Sequence, residues 1–143
     1  MKTILPRIAL ALSLALGAAG GATAADAPVT IAGATTVDAD KLIKLIETTP
    51  SLVILDNRKE GDYAAGHIEG AVRLIDTDIT GPEVLAKHVA AKDTPVAFYC
   101  NGLKCGRAAA AAQKAVGYGY GKVYYYALGM DEWKAKGLPL VTK

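Results

Sequence analysis

The chain has 143 residues, one domain's worth, and just over half of it is apolar (52%), a share raised by a hydrophobic N-terminus. The formal net charge is +2, and two of the sixteen basic residues, Lys2 and Arg7, lie in that N-terminal stretch. Without them fourteen basic residues face fourteen acidic ones, a balance that gives no support to a polyanion partner such as nucleic acid.

In chain order, Lys2 and Arg7 flank the start of an uncharged run, Ile8 to Leu16. Small residues follow, and Ala22-Thr23-Ala24 has the form of an A-x-A cleavage site. This pattern predicts a secretory signal peptide over 1–24. Beyond Leu16 the run thins into Gly and Ala, short of the ~20 apolar residues of a spanning helix. The expectation is export to the periplasm with no stable membrane insertion after processing. Residues 25–33 read as a linker, and a folded domain is expected over 34–143.

Asp38 to Glu47 carries Ala39, Leu42, Ile43 and Ile46 at helical spacing, with Asp38 as N-cap. Leu52 to Leu55 is a continuous apolar run ending in Asp56, as in a buried strand. Ala71 to Ile75 reads as a second strand. Pro82 opens a helix to about Ala90, Pro95 to Tyr99 forms a third strand, and Gly106 to Val116 an alanine-rich helix. Val123 to Tyr126 is a fourth strand, and Gly129 to Lys136 a last short helix carrying Trp133. Strands alternating with helices predict an α/β fold, a mostly parallel sheet with helices on both faces. Ligands bind beyond the carboxyl ends of such strands, and Cys100 directly follows the one ending at Tyr99.

The two cysteines are Cys100 and Cys105, and export implies an oxidising compartment. Cys100, Cys105 and the scattered histidines do not read as a four-ligand zinc site, and no metal or other cofactor is expected. The pair forms either a short-loop disulfide, possible if the Cα atoms come within about 6–7 Å, or a reactive thiol site. A helix N-terminus and nearby cations favour the nucleophilic thiolate. Here the segment Cys100-Asn101-Gly102-Leu103-Lys104-Cys105-Gly106-Arg107 supplies loop amides, a helix start, two cations and glycines that let the backbone curl. It predicts a cradle for a thiolate or a small oxyanion, with Cys100 as the nucleophile and Asn101 to Arg107 as the binding loop.

Asp56-Asn57-Arg58, then Tyr63-Ala-Ala-Gly-His67-Ile-Glu-Gly70-Ala71, resembles the D-x-R…(F/Y)-x-x-G-H-I-x-G-A signature of rhodanese-like sulfurtransferases. Gly119 to Tyr124, Gly129-Met130 and Trp133 to Pro139 are similar to the family's C-terminal pattern, so the resemblance runs from about Thr36 to Val141. It implies a single rhodanese domain in which Cys100 takes the outer sulfur of a small anionic donor such as thiosulfate. Cys100 would release sulfite, hold the sulfur as a persulfide and pass it to a thiol or protein acceptor. Loop amides, Lys104 and Arg107 would bind the anion.

Two features depart from the family pattern. Its usual loop opens the helix with Arg-Ser five and six residues after the cysteine; here Arg107-Ala108 comes two residues later. Cys105 within the loop is either a protective or resolving thiol or a space-filler. Phosphatases and arsenate reductases need Cys-x5-Arg, and Cys100 to Arg107 is Cys-x6-Arg. A thiol-disulfide module and a persulfide carrier use the same thiols as the enzyme and stay open. Asp56, Arg58 and His67 read as structural, Tyr124 to Tyr126 and Trp133 as packing, and His88 as incidental.

Overall fold

Alternating apolar side chains on three central strands decide which helices pack on which face. The computed structural model of the chain describes residues 25–143, so the signal peptide expected over 1–24 lies outside the described residues. The elements are β1 (Ala34–Thr36), α1 (Ala39–Thr48), β2 (Val53–Asp56), α2 (Glu60–Ala65), β3 (Val72–Arg73), α3 (Pro82–Ala86), β4 (Val96–Tyr99), α4 (Arg107–Gly117), β5 (Val123–Tyr126) and α5 (Gly129–Ala135), with a 3-10 turn at Asp76–Asp78. They form a five-stranded sheet in the order β1-β5-β4-β2-β3, every neighbouring pair parallel. This is the expected α/β class. Among the described residues no helix is long and apolar enough to cross a membrane.

Leu55, Val96, Phe98, Val123 and Tyr125 pack on one face with α3 and the alanines of α4. Ile54, Ala97, Tyr99 and Tyr126 pack on the other with Leu42 of α1 and Met130 and Trp133 of α5. Strand side chains alternate between faces, so a strand covered by helices on both sides is apolar throughout. Ala108, Ala109, Ala111, Ala112 and Ala115 are buried, and their small side chains let α4 lie close to the sheet directly after the cysteine loop.

The structure adds two elements to the expected set. β1 is three residues at the sheet edge, paired only with β5, too short and polar to show a period. α2 buries none of its residues and is fastened by tertiary bonds such as Tyr63 Oη to the Ala71 carbonyl at 2.8 Å. Two expected elements are shorter. The second strand contracts from Ala71–Ile75 to Val72–Arg73, because the chain turns at Asp76–Asp78 after Leu74 bonds Asp56. The helix expected to Ala90 ends at Ala86, where Lys87 and His88 donate three residues back and tighten the last turn. Asp38 caps α1 as expected, its Oδ1 accepting from the Lys41 amide at 2.9 Å.

The 25–33 segment, read as a linker, has no helix or strand but is tied to the domain. Ala27 N–H donates to the Leu103 carbonyl at 2.6 Å, Tyr125 Oη to the Pro28 carbonyl at 2.8 Å, and Ile31 is buried.

Candidate active site

The carboxyl ends of the strands carry a buried polar frame. Asp56 at the end of β2 and Arg58 two residues on are both shielded from solvent, with Arg58 Nη2 2.7 Å and Nε 3.0 Å from the Asp56 carboxylate. Arg58 Nη2 also donates to the Gly66 carbonyl at 2.8 Å. Tyr99, last residue of β4, donates its hydroxyl to Asp56 Oδ2 at 2.5 Å and accepts from the Ile68 amide at 3.2 Å. Burial first, then the Asp56 carboxylate, push the Tyr99 phenol well up, so it stays a donor. Burial works against the charge on Arg58, but the hydrogen bond and attraction of Asp56 outweigh it and its pKa is raised. His67 stacks on Tyr63, with Nδ1 2.9 Å from the Tyr63 carbonyl. Asp56 and Arg58 thus pair at the strand end and His67 meets backbone, the contacts expected of them. They hold the strand end from which Cys100 projects.

Cys100 is almost fully covered, at 2% exposure, and Cys105 nearly so at 8%. The two are joined by a disulfide, with Cα atoms 6.1 Å apart. The loop closes because the Cys105 amide turns back onto the Gly102 carbonyl at 3.0 Å. No backbone carbonyl among the described residues accepts from the amides of Gly102, Leu103, Lys104, Gly106 or Arg107. The last two belong to the unpaired first turn of α4, where oriented donors favour an anion. Arg107 Nη1 lies 3.5 Å from Cys105 Sγ.

The other loop residues divide. Lys104 points outward, its side chain 85% exposed and its ammonium 2.5 Å from Asp26 Oδ1, so this cation is not on the sulfurs. Asn101 extends toward Asp62 at 3.4 Å, a weak contact. Leu103 packs partly against the core and is fastened through its carbonyl to Ala27. Gly102 lies close to α5, where a Cβ would displace the Asp131 carboxylate and sit 3.3 Å from the Leu128 carbonyl. Gly106 is not so confined, for its φ is an ordinary −82° and a Cβ would meet open space, which corrects the expectation that this glycine lets the loop curl.

The opening of α5 forms part of the site without having been singled out. The Met130 amide donates to the Cys100 carbonyl at 3.0 Å, and the Asp131 amide to Asn101 at 2.8 Å. Gly129, at φ +53°, permits this, because a Cβ there would strike the Cys100 carbonyl. The Gly129-Met130 pair in the C-terminal pattern was the available signal. A groove of about 510 Å³ lies elsewhere, between Ile43, Ile46, Trp133 and Leu138, and none of its lining residues belongs to the cysteine loop.

The fold is thus a parallel α/β domain with a strand-end cysteine beneath the first turn of a helix, at the edge where such sheets bind ligands. A rhodanese-like domain model matches residues 38–136, and the chain belongs to the rhodanese-like family. The YibN protein of Escherichia coli is 35% identical over 92 residues, 62% of this chain and 60% of YibN, so the matched segment spans less than two thirds of that relative. The rhodanese-like domain of the Alr3790 protein from Anabaena superposes with a TM-score of 0.62 at 26% identity, over 76% of this chain and 79% of the other. The polysulfide-sulfur transferase of Wolinella succinogenes superposes at 0.64, with 24% identity, over 78% of this chain and 81% of that one; it shares the fold.

Proposed function

We propose that this protein is a sulfurtransferase that moves sulfane sulfur from a donor such as thiosulfate through a Cys100 persulfide to a thiol or protein acceptor. The observation that carries it is the placement of Cys100, held between a buried polar frame and the donors of the α4 first turn. Membership of the rhodanese-like family supports sulfur transfer in general. Cys100 thiolate attacks the outer sulfur of the donor and sulfite departs with the bonding pair. The unpaired loop amides and Arg107 stabilise the anionic donor and the charged persulfide. The leader pattern over 1–24 supports action outside the cytoplasm, in the periplasm.

The test is to reduce the protein, expose it to thiosulfate and measure sulfite and intact mass. Sulfite release, abolished in Cys100→Ser, with one sulfur atom gained at early times before any discharge, is the expected result. A reduced protein that releases no sulfite and gains no sulfur contradicts the thiosulfate step.

The Cys100–Cys105 disulfide favours a second reading, a thiol-disulfide or persulfide-carrier module without thiosulfate turnover. Such a module takes sulfur from a persulfide-bearing partner, loads once, and shows no steady-state sulfite production.

A further inference from the structure

We propose that Cys105 is a further catalytic residue that discharges the Cys100 persulfide from within the loop, releasing the transferred sulfur as hydrogen sulfide, with a dithiol as the external reductant that reopens the disulfide. The proposal rests on the persulfide reading above. In the loaded protein, Cys100 carries the sulfane sulfur on Sγ. The Cys105 thiolate attacks that Sγ, the Sγ–Sγ bond forms, and the bond to the terminal sulfur breaks. That sulfur leaves with the electron pair as hydrosulfide and takes up a proton. The two cysteine sulfurs are oxidised together by two electrons and the sulfane sulfur is reduced by two. An external dithiol then reopens the disulfide and is itself oxidised. The sum is thiosulfate plus dithiol giving sulfite, hydrogen sulfide and oxidised dithiol.

Three observations point there. The two sulfurs are already bonded across an ordinary Cα separation of 6.1 Å, so the folded loop brings Cys105 to the inner sulfur of a persulfide. The one loop cation near sulfur, Arg107, sits on Cys105 at 3.5 Å, while Lys104 is turned out to Asp26. Arg107 therefore favours the thiolate of Cys105, the attacking group that release requires. Finally, Cys100 is 2% exposed, so an external acceptor must gain access that Cys105 already has. An intramolecular nucleophile held in place competes with large effective concentration.

The experiment is a single turnover without acceptor. The full chain is reduced, freed of reductant under anaerobic conditions and mixed with thiosulfate; a parallel sample is loaded with inorganic polysulfide and gel-filtered. Sulfide and intact mass are followed in time for wild type and Cys105→Ser. Wild type is expected to lose its added sulfur, yield stoichiometric sulfide and end two hydrogens lighter than the reduced chain. Cys105→Ser, whatever its loading rate, keeps the sulfur and yields none. A wild type that holds its sulfur without releasing sulfide overturns the proposal and leaves the transferase reading standing. So does equal sulfide release by both proteins. If thiosulfate loads neither protein but polysulfide-loaded wild type discharges and the variant does not, the release step stands and the thiosulfate donor fails. The wild-type time course decides the matter even if the variant does not fold.

Discussion

The Tyr99 hydroxyl and the Asp56 carboxylate meet at 2.5 Å across neighbouring parallel strands, one residue before the cysteine. Removing the hydroxyl in Tyr99→Phe leaves Asp56 short of a donor and the Ile68 amide without an acceptor. The expected loss is about 1–3 kcal/mol, read as a lowered urea midpoint with an unchanged slope. Asp56→Ala should cost more, about 3–5 kcal/mol, because it leaves Arg58 charged and buried without its partner.

The same hydroxyl sets an alkaline limit. Burial, then Asp56, raise its pKa above the ordinary tyrosine value of about 10, so the folded chain keeps a proton that the unfolded chain releases near that pH. The stabilisation is therefore complete below about pH 10 and is lost as the pH climbs beyond it. Urea midpoints measured from pH 8 upward should fall past that point, and the fall should be shallower in Tyr99→Phe.

Gly129→Ala should damage both stability and transfer. Its φ of +53° is strained for any side chain, and the new Cβ would strike the Cys100 carbonyl. The conformational part alone costs about 1–2 kcal/mol, and the collision adds to it. The Met130 amide should withdraw from Cys100, seen as faster hydrogen exchange at Met130 and slower sulfite release.

Arg107→Ala removes the guanidinium next to the loop sulfurs. Loss of one charge-assisted contact to donor or persulfide corresponds to about 1.5–3 kcal/mol, or roughly tenfold to a hundredfold in kcat/KM for thiosulfate. Lys104→Ala, whose ammonium faces Asp26 in solvent, should change kcat/KM by less than about threefold. Equal effects of the two substitutions would show that Lys104 swings in when donor binds.

Cys105→Ala separates a protective thiol from a space-filling one. With Cys105 present, oxidation of Cys100 ends in a disulfide that a reductant reopens; without it, Cys100 proceeds to irreversible acids. Under peroxide the variant should lose transfer activity faster than the parent, and dithiothreitol should restore only the parent. Equal inactivation and equal recovery would leave Cys105 without that role.

The apolar runs ending at Leu55, Tyr99 and Tyr126 and the helical spacing of Leu42 and Ile46 are local patterns. They determined the α/β class, because a strand buried on both faces must be apolar throughout. The position of Cys100 after such a run put the candidate nucleophile at the carboxyl edge, and the D-x-R and G-H motifs marked the family. What the sequence left open depended on contacts far apart in the chain. β1 exists because β5 offers it an edge, and α2 because Tyr63 finds the Ala71 carbonyl. The direction of Lys104 was set by Asp26, 78 residues away, and the support under Cys100 by Gly129 and Met130. Whether Cys100 and Cys105 would join depended on the turn between them, in which the Cys105 amide meets the Gly102 carbonyl. Residue spacing limits how far apart two thiols can lie, but only the folded backbone decides whether their sulfurs meet.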